Sequence, residues 1–190
     1  MDPIAATNPK KDSTLAMMVA AQNKQWQVLY AEQKDLFVIN GKPFVSMTPI
    51  EINLSQSDWY QLGEQSTLAM QDIDVIMMRK DPPFDNEYIY STYILELAER
   101  LGALVVNKPQ SLRDANEKLF TAWFPDCTPD TLVTRQAGLL REFIKQHQDV
   151  ILKPLDGMGG ASIFRVKADD PNIGVIIETL TNHGKITAMA

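Results

Sequence analysis

The chain has 190 residues, of which 45% are hydrophobic and 22% charged, which suits a globular protein of one large or two small domains. A net charge of −6 and the absence of long Lys/Arg runs argue against nucleic acid as the main partner, because phosphate backbones bind positive surfaces. No apolar run approaches the ~20 residues of a membrane span, and no signal core follows Met1, so we expect a cytoplasmic protein with no membrane partner.

A helix and then a strand are predicted at the start of the chain. Asp12 suits the N-cap of a helix over residues 13–25, in which helical spacing relates Leu15, Met18, Val19 and Gln22. The composition of Trp26–Tyr30 favours a strand.

A β-hairpin is predicted next. Asn40-Gly41 supplies the positive φ angles of a type I′ turn between the apolar segments Asp35–Ile39 and Lys42–Val45. Because proline cannot donate to a ladder, Pro43 predicts that the second strand lies at a sheet edge.

The middle of the chain has the order strand, helix, strand. Asp74–Met78 and Ala103–Val106 are apolar runs typical of buried parallel strands, and Gly102 suits the C-terminal cap of a helix between them. Asp85 suits that helix's N-cap, and its predicted buried stripe is Ile89, Tyr93, Leu97 and Leu101. This order indicates an open α/β sheet.

Charged residues follow both of these strands. Arg79, Lys80 and Asp81 come after the first strand, and Asn107-Lys108 after the second. Ligands of open α/β sheets lie at the carboxyl ends of the strands, so this edge is either an anion site or an ordinary charged rim.

The last part of the chain predicts a second set of elements. The pattern is helical from Ser111 to Phe124, and Pro125–Pro129 breaks it at a candidate domain boundary. The elements predicted after it are a strand at Thr131–Thr134, a helix at Gln136–Gln146, strands at Asp149–Leu155 and Ala161–Val166, and an element at Ile173–Ile177. An α/β sheet normally opens with a strand, and the chain stops without a turn, so we expect a piece of a longer protein.

A glycine-rich segment, Asp156–Gly160, lies between the two predicted strands. Gly157, Gly159 and Gly160 allow backbone amides to approach phosphate oxygens closely. A Walker loop or a dinucleotide-binding turn is excluded, because both require a helix after the glycines and a strand pattern follows here. The segment is therefore either a mobile phosphate-binding flap or a glycine hairpin.

Two lysines flank this segment in the sequence. Lys153 lies between apolar residues on one face of the preceding strand, where its stem is covered and its ammonium reaches a phosphate, unless that face is simply solvated. Lys118 falls in the predicted helix before the boundary and, taken alone, fits a solvated surface position. Cys127, the single cysteine, fits a structural thiol better than a nucleophile.

Together these segments resemble bacterial glutathione synthetases of the ATP-grasp superfamily. The matching stretches are Met1–Pro3, Met78–Asp85, Val106–Asp114, Asn116–Phe124 and Ile151–Val166. The resemblance implies an α/β fold with a Rossmann-like N-terminal (pre-ATP-grasp) domain over residues 1–117. It further implies the first α+β subdomain of a truncated ATP-grasp fold over residues 118–190.

The resemblance also implies roles for particular residues. Lys118 and Lys153 are expected to contact ATP phosphates, and the small loop Asp156, Gly157, Met158, Gly159 and Gly160 is expected to close over the γ-phosphate. Arg79, Lys80 and Asp81 are substrate-binding candidates because of their place after a buried strand and not because of the resemblance, and no catalytic residue is assigned.

The implied reaction is the ATP-dependent ligation of glycine to γ-glutamylcysteine through an acyl phosphate, in a homo-oligomer (a homotetramer in this family). The family's Mg²⁺ ligands belong to a C-terminal region, so no metal ligand is assigned in this chain, and Asp169-Asp170 fit a solvated turn. We therefore expect the 190 residues alone to be inactive. Two alternatives stay open: another ATP-grasp carboxylate–amine ligase, and a non-catalytic α/β interaction module.

Overall fold

The computed structural model describes residues 1–80, 83–157 and 159–190. The chain divides into two compact units, Met1–Arg113 and Asp114–Ala190, so the division falls earlier in the sequence than the candidate boundary at Pro125–Pro129.

The first unit begins with a short 3₁₀ turn and helix α1, and its described residues, 1–80 and 83–113, form seven strands. In chain order its elements are the 3₁₀ turn Ile4–Ala6, α1 (Ser13–Asn23), β1 (Leu29–Tyr30), the 3₁₀ turn Gln33–Asp35, β2 (Leu36–Ile39), β3 (Lys42–Ile52), β4 (Tyr60–Leu62), β5 (Ser66–Ala69), the 3₁₀ turn Met70–Asp72, β6 (Val75–Met77), α2 (Asn86–Arg100), β7 (Leu104–Val106) and most of α3 (Pro109–Asp114).

Helix α1 is capped as predicted, since the Asp12 carboxylate accepts hydrogen bonds from the Thr14 and Leu15 amides at 2.7 and 3.2 Å. The strand predicted from Trp26 starts later, at Leu29. The helix end accounts for this difference: Gln25 has φ 60° and the Trp26 amide bonds to the Ala21 carbonyl, so these residues complete the cap.

The long strand β3 is the centre of a five-stranded antiparallel sheet in which β1, β2, β4 and β5 all pair with it. The hairpin at Asn40-Gly41 is confirmed, with φ of 50° and 78° at the two turn residues. The edge position predicted from Pro43 is wrong. Strand β3 pairs with β5 only from Phe44 onward. Pro43 therefore lies outside that pairing, and its missing N–H costs no hydrogen bond to β5.

Strands β6 and β7 pair in parallel, with Val75 opposite Leu104, which confirms the predicted parallel arrangement. The prediction that both strands are buried is wrong in part, because the Leu104 side chain is 57% exposed while Val105 packs into the core. Arg79 and Lys80 follow one parallel strand, and Asn107 and Lys108 follow its neighbour. All four residues therefore come after the carboxyl ends of the parallel pair.

Helix α2 buries a different stripe from the predicted one. Its N-cap, Asp85, accepts from the Tyr88 amide at 2.9 Å as expected, but Tyr93 and Leu101 are exposed. The buried residues are Tyr88, Ser91, Thr92, Leu95 and Ala98. Because the Ser91 and Thr92 hydroxyls donate to carbonyls of the same helix at 2.9 and 2.7 Å, these polar side chains are satisfied away from water.

Two clusters of buried side chains form the core of the first unit. One joins β3, α2 and β7 through Val45, Met47, Met70, Leu95, Ala98, Ala103 and Val105. The other joins α1, β1 and β3 through Ile4, Leu15, Met18, Tyr30, Ile50 and Ile52. The Ile4 amide donates to the Tyr30 hydroxyl at 3.0 Å, and that hydroxyl donates to Glu32 at 2.8 Å.

The second unit is a four-stranded sheet with two helices on one face. Its elements are the 3₁₀ turns Leu119–Trp123 and Pro125–Cys127, β8 (Val133–Thr134), α4 (Ala137–His147), β9 (Asp149–Pro154), β10 (Phe164–Lys167), α5 (Ile173–Thr181) and β11 (Ala188–Met189), with strand order β10-β9-β11-β8. Its core joins Leu140, Ile144, Val150, Leu152, Val166, Ile177, Leu180 and Ala188.

The continuous helix predicted from Ser111 to Phe124 is wrong. Helix α3 ends at Asp114 and a 3₁₀ turn starts at Leu119. The side chain of Asn116 accounts for the break, since its Oδ1 accepts from the Lys118 and Leu119 amides at 3.1 and 2.8 Å and thereby caps the new turn.

Candidate functional site

The glycine segment of the second unit connects two antiparallel strands, as predicted. Strands β9 and β10 pair with Leu152 opposite Phe164, so a strand and not a helix follows the glycines. Strand β10 begins at Phe164, later than predicted, because residues 159–162 form turns. The segment is therefore longer than a tight hairpin turn.

The glycines are required for two different physical reasons. Gly159 and Gly160 have φ of 63° and 80°, a left-handed backbone that favours glycine, and a Cβ there would meet nothing within 4 Å. Gly157 instead lies against Pro154, where an added Cβ would come 2.6 Å from the proline Cγ. A side chain at position 157 would therefore require Pro154 or the loop backbone to shift. Asp156 is exposed beside it.

Lys118 is tied to this segment. Its ammonium donates to the carbonyls of Leu155 at 3.2 Å and Gly157 at 2.7 Å, and it also pairs with Glu117. Only 13% of its side chain is exposed. The solvated surface position is therefore wrong for Lys118, as is its place in an amphipathic helix: it is the residue before the 3₁₀ turn.

Lys153 lies on the face of the sheet that the helices leave uncovered. Val150 and Leu152 point into the core, whereas Ile151 is 46% exposed and Lys153 is half-buried on the same side. This alternation confirms the predicted strand faces. Met189 of β11, which is buried, is opposite Lys153 in the β-ladder.

A charged pair borders Ile151 on this open face. Arg165, opposite Ile151 in the β-ladder, donates to the Asp149 carboxylate through Nε at 3.0 Å and a terminal nitrogen at 2.6 Å. Hydrogen bonding from Arg165 holds the pKa of Asp149 below its ordinary value. The face therefore carries an exposed isoleucine between Lys153 and an arginine that is paired with Asp149.

The charged residues predicted in the first unit have partners within that unit. Arg79 donates to the hydroxyls of Thr14 and Ser13 at 3.1 and 2.9 Å, at the start of α1. Lys80 forms an ion pair with Asp2 at 2.7 Å. Asp81 lies outside the described residues, as does Met158 of the glycine segment.

Within residues 1–80, 83–157 and 159–190, no group of three or more His, Cys, Asp or Glu side chains is arranged to hold a metal ion. Cys127 is exposed and unbonded to another cysteine in the part of the chain that the structure describes. None of the described helices combines the length and apolar character needed to cross a membrane.

Two parts of this site escaped the sequence analysis. The contact of Gly157 with Pro154 could have been predicted from the sequence, because a proline three residues before a glycine constrains the path of the loop. The hydrogen bonds from Lys118 to two loop carbonyls could not have been predicted, because the fold alone brings together residues that are nearly forty positions apart.

The sheet, its helices and the glycine segment of the second unit belong to a truncated ATP-grasp fold. The family model described as prokaryotic glutathione synthetase, ATP-grasp domain, matches residues 117–190, and the model of the N-terminal domain of the same family matches residues 1–113. The chain belongs to the prokaryotic glutathione synthetase family.

Curated relatives match the whole chain. Glutathione synthetases of Photorhabdus laumondii and Vibrio cholerae are each 60% identical over all 190 residues, which span 60% of the length of either relative. The solved structure of the ATP-grasp ligase PsnB with a minimal precursor is 18% identical, covering 61% of this chain and 43% of that chain at a TM-score of 0.44, a level from which nothing further follows.

Proposed function

We propose that the full-length protein is a glutathione synthase, which joins glycine to γ-glutamylcysteine and converts ATP to ADP and phosphate. The observation that carries the proposal is the 60% identity to glutathione synthetases over every residue of the chain. In this proposal, residues 1–117 form the pre-ATP-grasp domain and residues 118–190 the first ATP-grasp subdomain.

The proposed reaction has two steps. A carboxylate oxygen of the cysteinyl residue attacks the γ-phosphorus, and the bond to the ADP oxygen breaks. The glycine amine then attacks the acyl carbon, phosphate leaves with the C–O bonding pair, and the amine nitrogen loses a proton. Little covalent chemistry is required of the protein in such a transfer, so its work is positioning, charge stabilisation and exclusion of water.

The glycine segment suits the phosphate end of the nucleotide. Gly157 keeps the backbone free of a side chain where it bends over Pro154, and the positive φ values at Gly159 and Gly160 turn it back toward β10. Amides of such a segment reach phosphate oxygens that a side chain would hold away. We propose that residues 156–160, including Met158, close over the γ-phosphate and keep water from the acyl phosphate.

Lys153 and Lys118 are the proposed cations for the phosphates. Lys153 shares its face of the strand with Ile151 and is opposite Met189 in the β-ladder, and between such apolar neighbours a lysine stem can be covered while its ammonium reaches a phosphate. Lys118 donates to the Leu155 and Gly157 carbonyls and pairs with Glu117, so a phosphate oxygen bound to its ammonium would take the place of one of these three acceptors. The exposed Ile151 offers an apolar surface on which a base can pack.

The remaining assignments stay proposals. This family is expected to use Mg²⁺ with ATP. The described residues contain no acidic cluster that could hold the ion, so no step of the reaction is assigned to Mg²⁺ bound by these residues. Arg79, Lys80 and Asp81 are proposed to bind substrate at the carboxyl ends of the parallel strands, although Arg79 and Lys80 also contact Ser13, Thr14 and Asp2. Two further features stay predictions: assembly into a homo-oligomer, which is a homotetramer in this family, and location in the cytoplasm.

The test is a turnover assay of the full-length protein with ATP, Mg²⁺, γ-glutamylcysteine and glycine. We expect ADP and glutathione in equal amounts, and no turnover from the 190-residue chain alone. Turnover only with a different acid and amine would replace the proposal by another ATP-grasp ligase. No ADP formation with any such pair would favour a non-catalytic module.

The site assignment has its own control. Lys153→Ala should lower kcat/KM for ATP by roughly a hundredfold or more, because a cation is lost where charge develops. Lys145→Ala, which removes an exposed lysine from α4, should leave it unchanged. Equal effects of the two substitutions would remove Lys153 from the nucleotide site.

A further inference from the structure

The Lys118 ammonium is held by three acceptors within the second unit. The carbonyl oxygens of Leu155 and Gly157 accept from it at 3.2 and 2.7 Å, and a carboxylate oxygen of Glu117 is the third acceptor. An ammonium carries three N–H groups, so these acceptors, all from the described part of the chain, satisfy each of them. A phosphate oxygen that binds Lys118 would therefore displace one acceptor, and the three differ in how easily they leave.

The two carbonyls belong to backbone that is held by its neighbours. Leu155 directly follows β9, whose last residues, Lys153 and Pro154, are opposite β11 in the sheet. Gly157 is closely packed against the Pro154 ring, since an added Cβ would come 2.6 Å from its Cγ. Withdrawing either carbonyl from Lys118 requires a change in the conformation of the loop backbone.

The backbone of Lys118 is held on both sides as well. Its amide donates to Asn116 Oδ1 at 3.1 Å, and its carbonyl accepts from the Thr121 hydroxyl at 2.6 Å. Only 13% of the Lys118 side chain is exposed. The ammonium is therefore kept at one place, where an incoming anion must meet it.

Glu117 is the acceptor that can leave at the lowest cost. Its side chain is 56% exposed, so rotation about its own bonds carries the carboxylate into water, where it is well solvated. A carboxylate and a phosphate are both anions, and they repel each other when they share one ammonium. A phosphate oxygen thus replaces Glu117 more readily than it replaces either carbonyl.

The charge of Glu117 also explains why Lys118 is stable in this position. Taking an ammonium out of water costs free energy unless an opposite charge lies beside it. Glu117 supplies that charge in the structure, and a phosphate would supply it in a complex. Because one ion pair must be broken before the other forms, the carboxylate makes nucleotide binding weaker than Lys118 alone would allow.

We propose that Glu117 is a stand-in anion, which pairs with Lys118 until a nucleotide phosphate displaces it and which thereby sets the affinity of the site for ATP and ADP. This inference rests on the proposed function, in which Lys118 contacts the phosphates of ATP. After phosphoryl transfer, the carboxylate returns to Lys118 as ADP leaves, so that the product is not retained.

The test is calorimetry of ATP binding to the full-length protein with Mg²⁺, in the absence of γ-glutamylcysteine and glycine so that no turnover occurs. Glu117→Gln keeps the size of the side chain and an acceptor oxygen but removes the charge. It should tighten ATP binding by roughly threefold to tenfold, because the contact to be broken is weaker. ADP should also dissociate more slowly by a similar factor.

Two further variants separate this exchange from a general change of charge. Asp126→Asn removes an exposed carboxylate from the 3₁₀ turn Pro125–Cys127 and should leave ATP affinity nearly unchanged. Lys118→Met should weaken ATP binding. In the Lys118→Met background Glu117→Gln should have no effect, because the ammonium that couples the carboxylate to the phosphate is gone.

The possible results separate the inference from the proposed function. Unchanged or weaker ATP binding by Glu117→Gln, together with weaker binding by Lys118→Met, would overturn the inference and leave the proposed function standing. Tightening that persists without Lys118, or that Asp126→Asn reproduces, would show a general electrostatic effect and overturn it as well. An unaltered protein that does not bind ATP would contradict the proposed function itself, and the inference with it.

Discussion

At the scale of single residues, the second unit contains a close contact at which any side chain larger than that of glycine forces a neighbour to shift. Gly157 is the sharpest case, because an added Cβ would come 2.6 Å from Pro154 Cγ and 3.4 Å from the Ala161 carbonyl oxygen. At Gly159 and Gly160 there is room for a side chain, but both residues have a positive φ that residues other than glycine rarely adopt. Similar residues in one segment are thus constrained by different forces.

Gly157→Ala should destabilise the protein by about 1–3 kcal/mol, because Pro154 or the loop backbone must move. Gly138→Ala is the matched control: Gly138 lies in α4 with nothing within 4 Å of an added Cβ, and the change should stabilise by about 0.5–1 kcal/mol. Chemical denaturation of both variants measures this. A neutral Gly157→Ala would show that the contact relaxes freely.

Tyr30 gives a pH-dependent contribution of known sign. Burial, together with the bond to Glu32, raises its pKa from 10 to about 12. A tyrosine whose folded pKa is raised contributes stability that is complete below pH 10 and is lost as pH rises toward 12. The stability difference between the protein and Tyr30→Phe should therefore shrink across that window. A constant difference would mean that Tyr30 titrates normally.

At the scale of secondary-structure elements, one side chain decides where a helix ends. Asn116 caps the 3₁₀ turn Leu119–Trp123 and thereby places Lys118 next to the glycine segment. The boundary of an element thus sets the position of a proposed binding residue.

Asn116→Ala should cost about 1 kcal/mol, because the Lys118 and Leu119 amides lose their acceptor. Asn116→Asp keeps an acceptor oxygen and should recover most of this loss. Unfolding in denaturant gives the free energies, and hydrogen exchange at Leu119 gives the local effect. If Ala and Asp behave alike, the cap is not what holds the turn.

Some features of these elements could be predicted from the sequence and others could not. The Asp12 and Asp85 caps, the Asn40-Gly41 hairpin and the parallel pair β6 and β7 were all predicted, because local chemistry determines them. The buried stripe of α2 was not, since Ser91 and Thr92 are buried through bonds to their own helix. The central place of β3 depends on strands β4 and β5, which have no strong local pattern.

The candidate site was predicted to a similar extent. The antiparallel strands around the glycines and the face that carries Lys153 follow from alternation, which is a local property. The burial of Lys118 and the pair of Arg165 with Asp149 are products of tertiary structure. Asp81 and Met158 lie outside the described residues, so their predicted roles stay predictions.

At the scale of the whole molecule, each unit has a hydrophobic core of its own. Leu152 is fully buried in the core of the second unit, and Leu95 is 2% exposed in a core of the first. Separate cores imply that local unfolding can differ between the units.

Leu152→Ala should destabilise the second unit by about 2–5 kcal/mol and speed hydrogen exchange at Val150 and Val166. Leu95→Ala should have an effect of similar size in the first unit, read at Val45 and Val105. Residue-resolved exchange of the two variants measures both. Uniform acceleration through the chain in either variant would mean that the units unfold as one.

The contact between Pro154 and Gly157 has a consequence for how such proteins diverge. Replacing Pro154 by alanine removes the Cγ atom at 2.6 Å and leaves its Cβ at 3.7 Å, an ordinary distance, from a side chain at position 157. A lineage that keeps the proline therefore meets a steric cost at position 157 with any residue other than glycine, and one that loses the proline is released from part of that cost. The two positions should change together in descent, with the proline lost first.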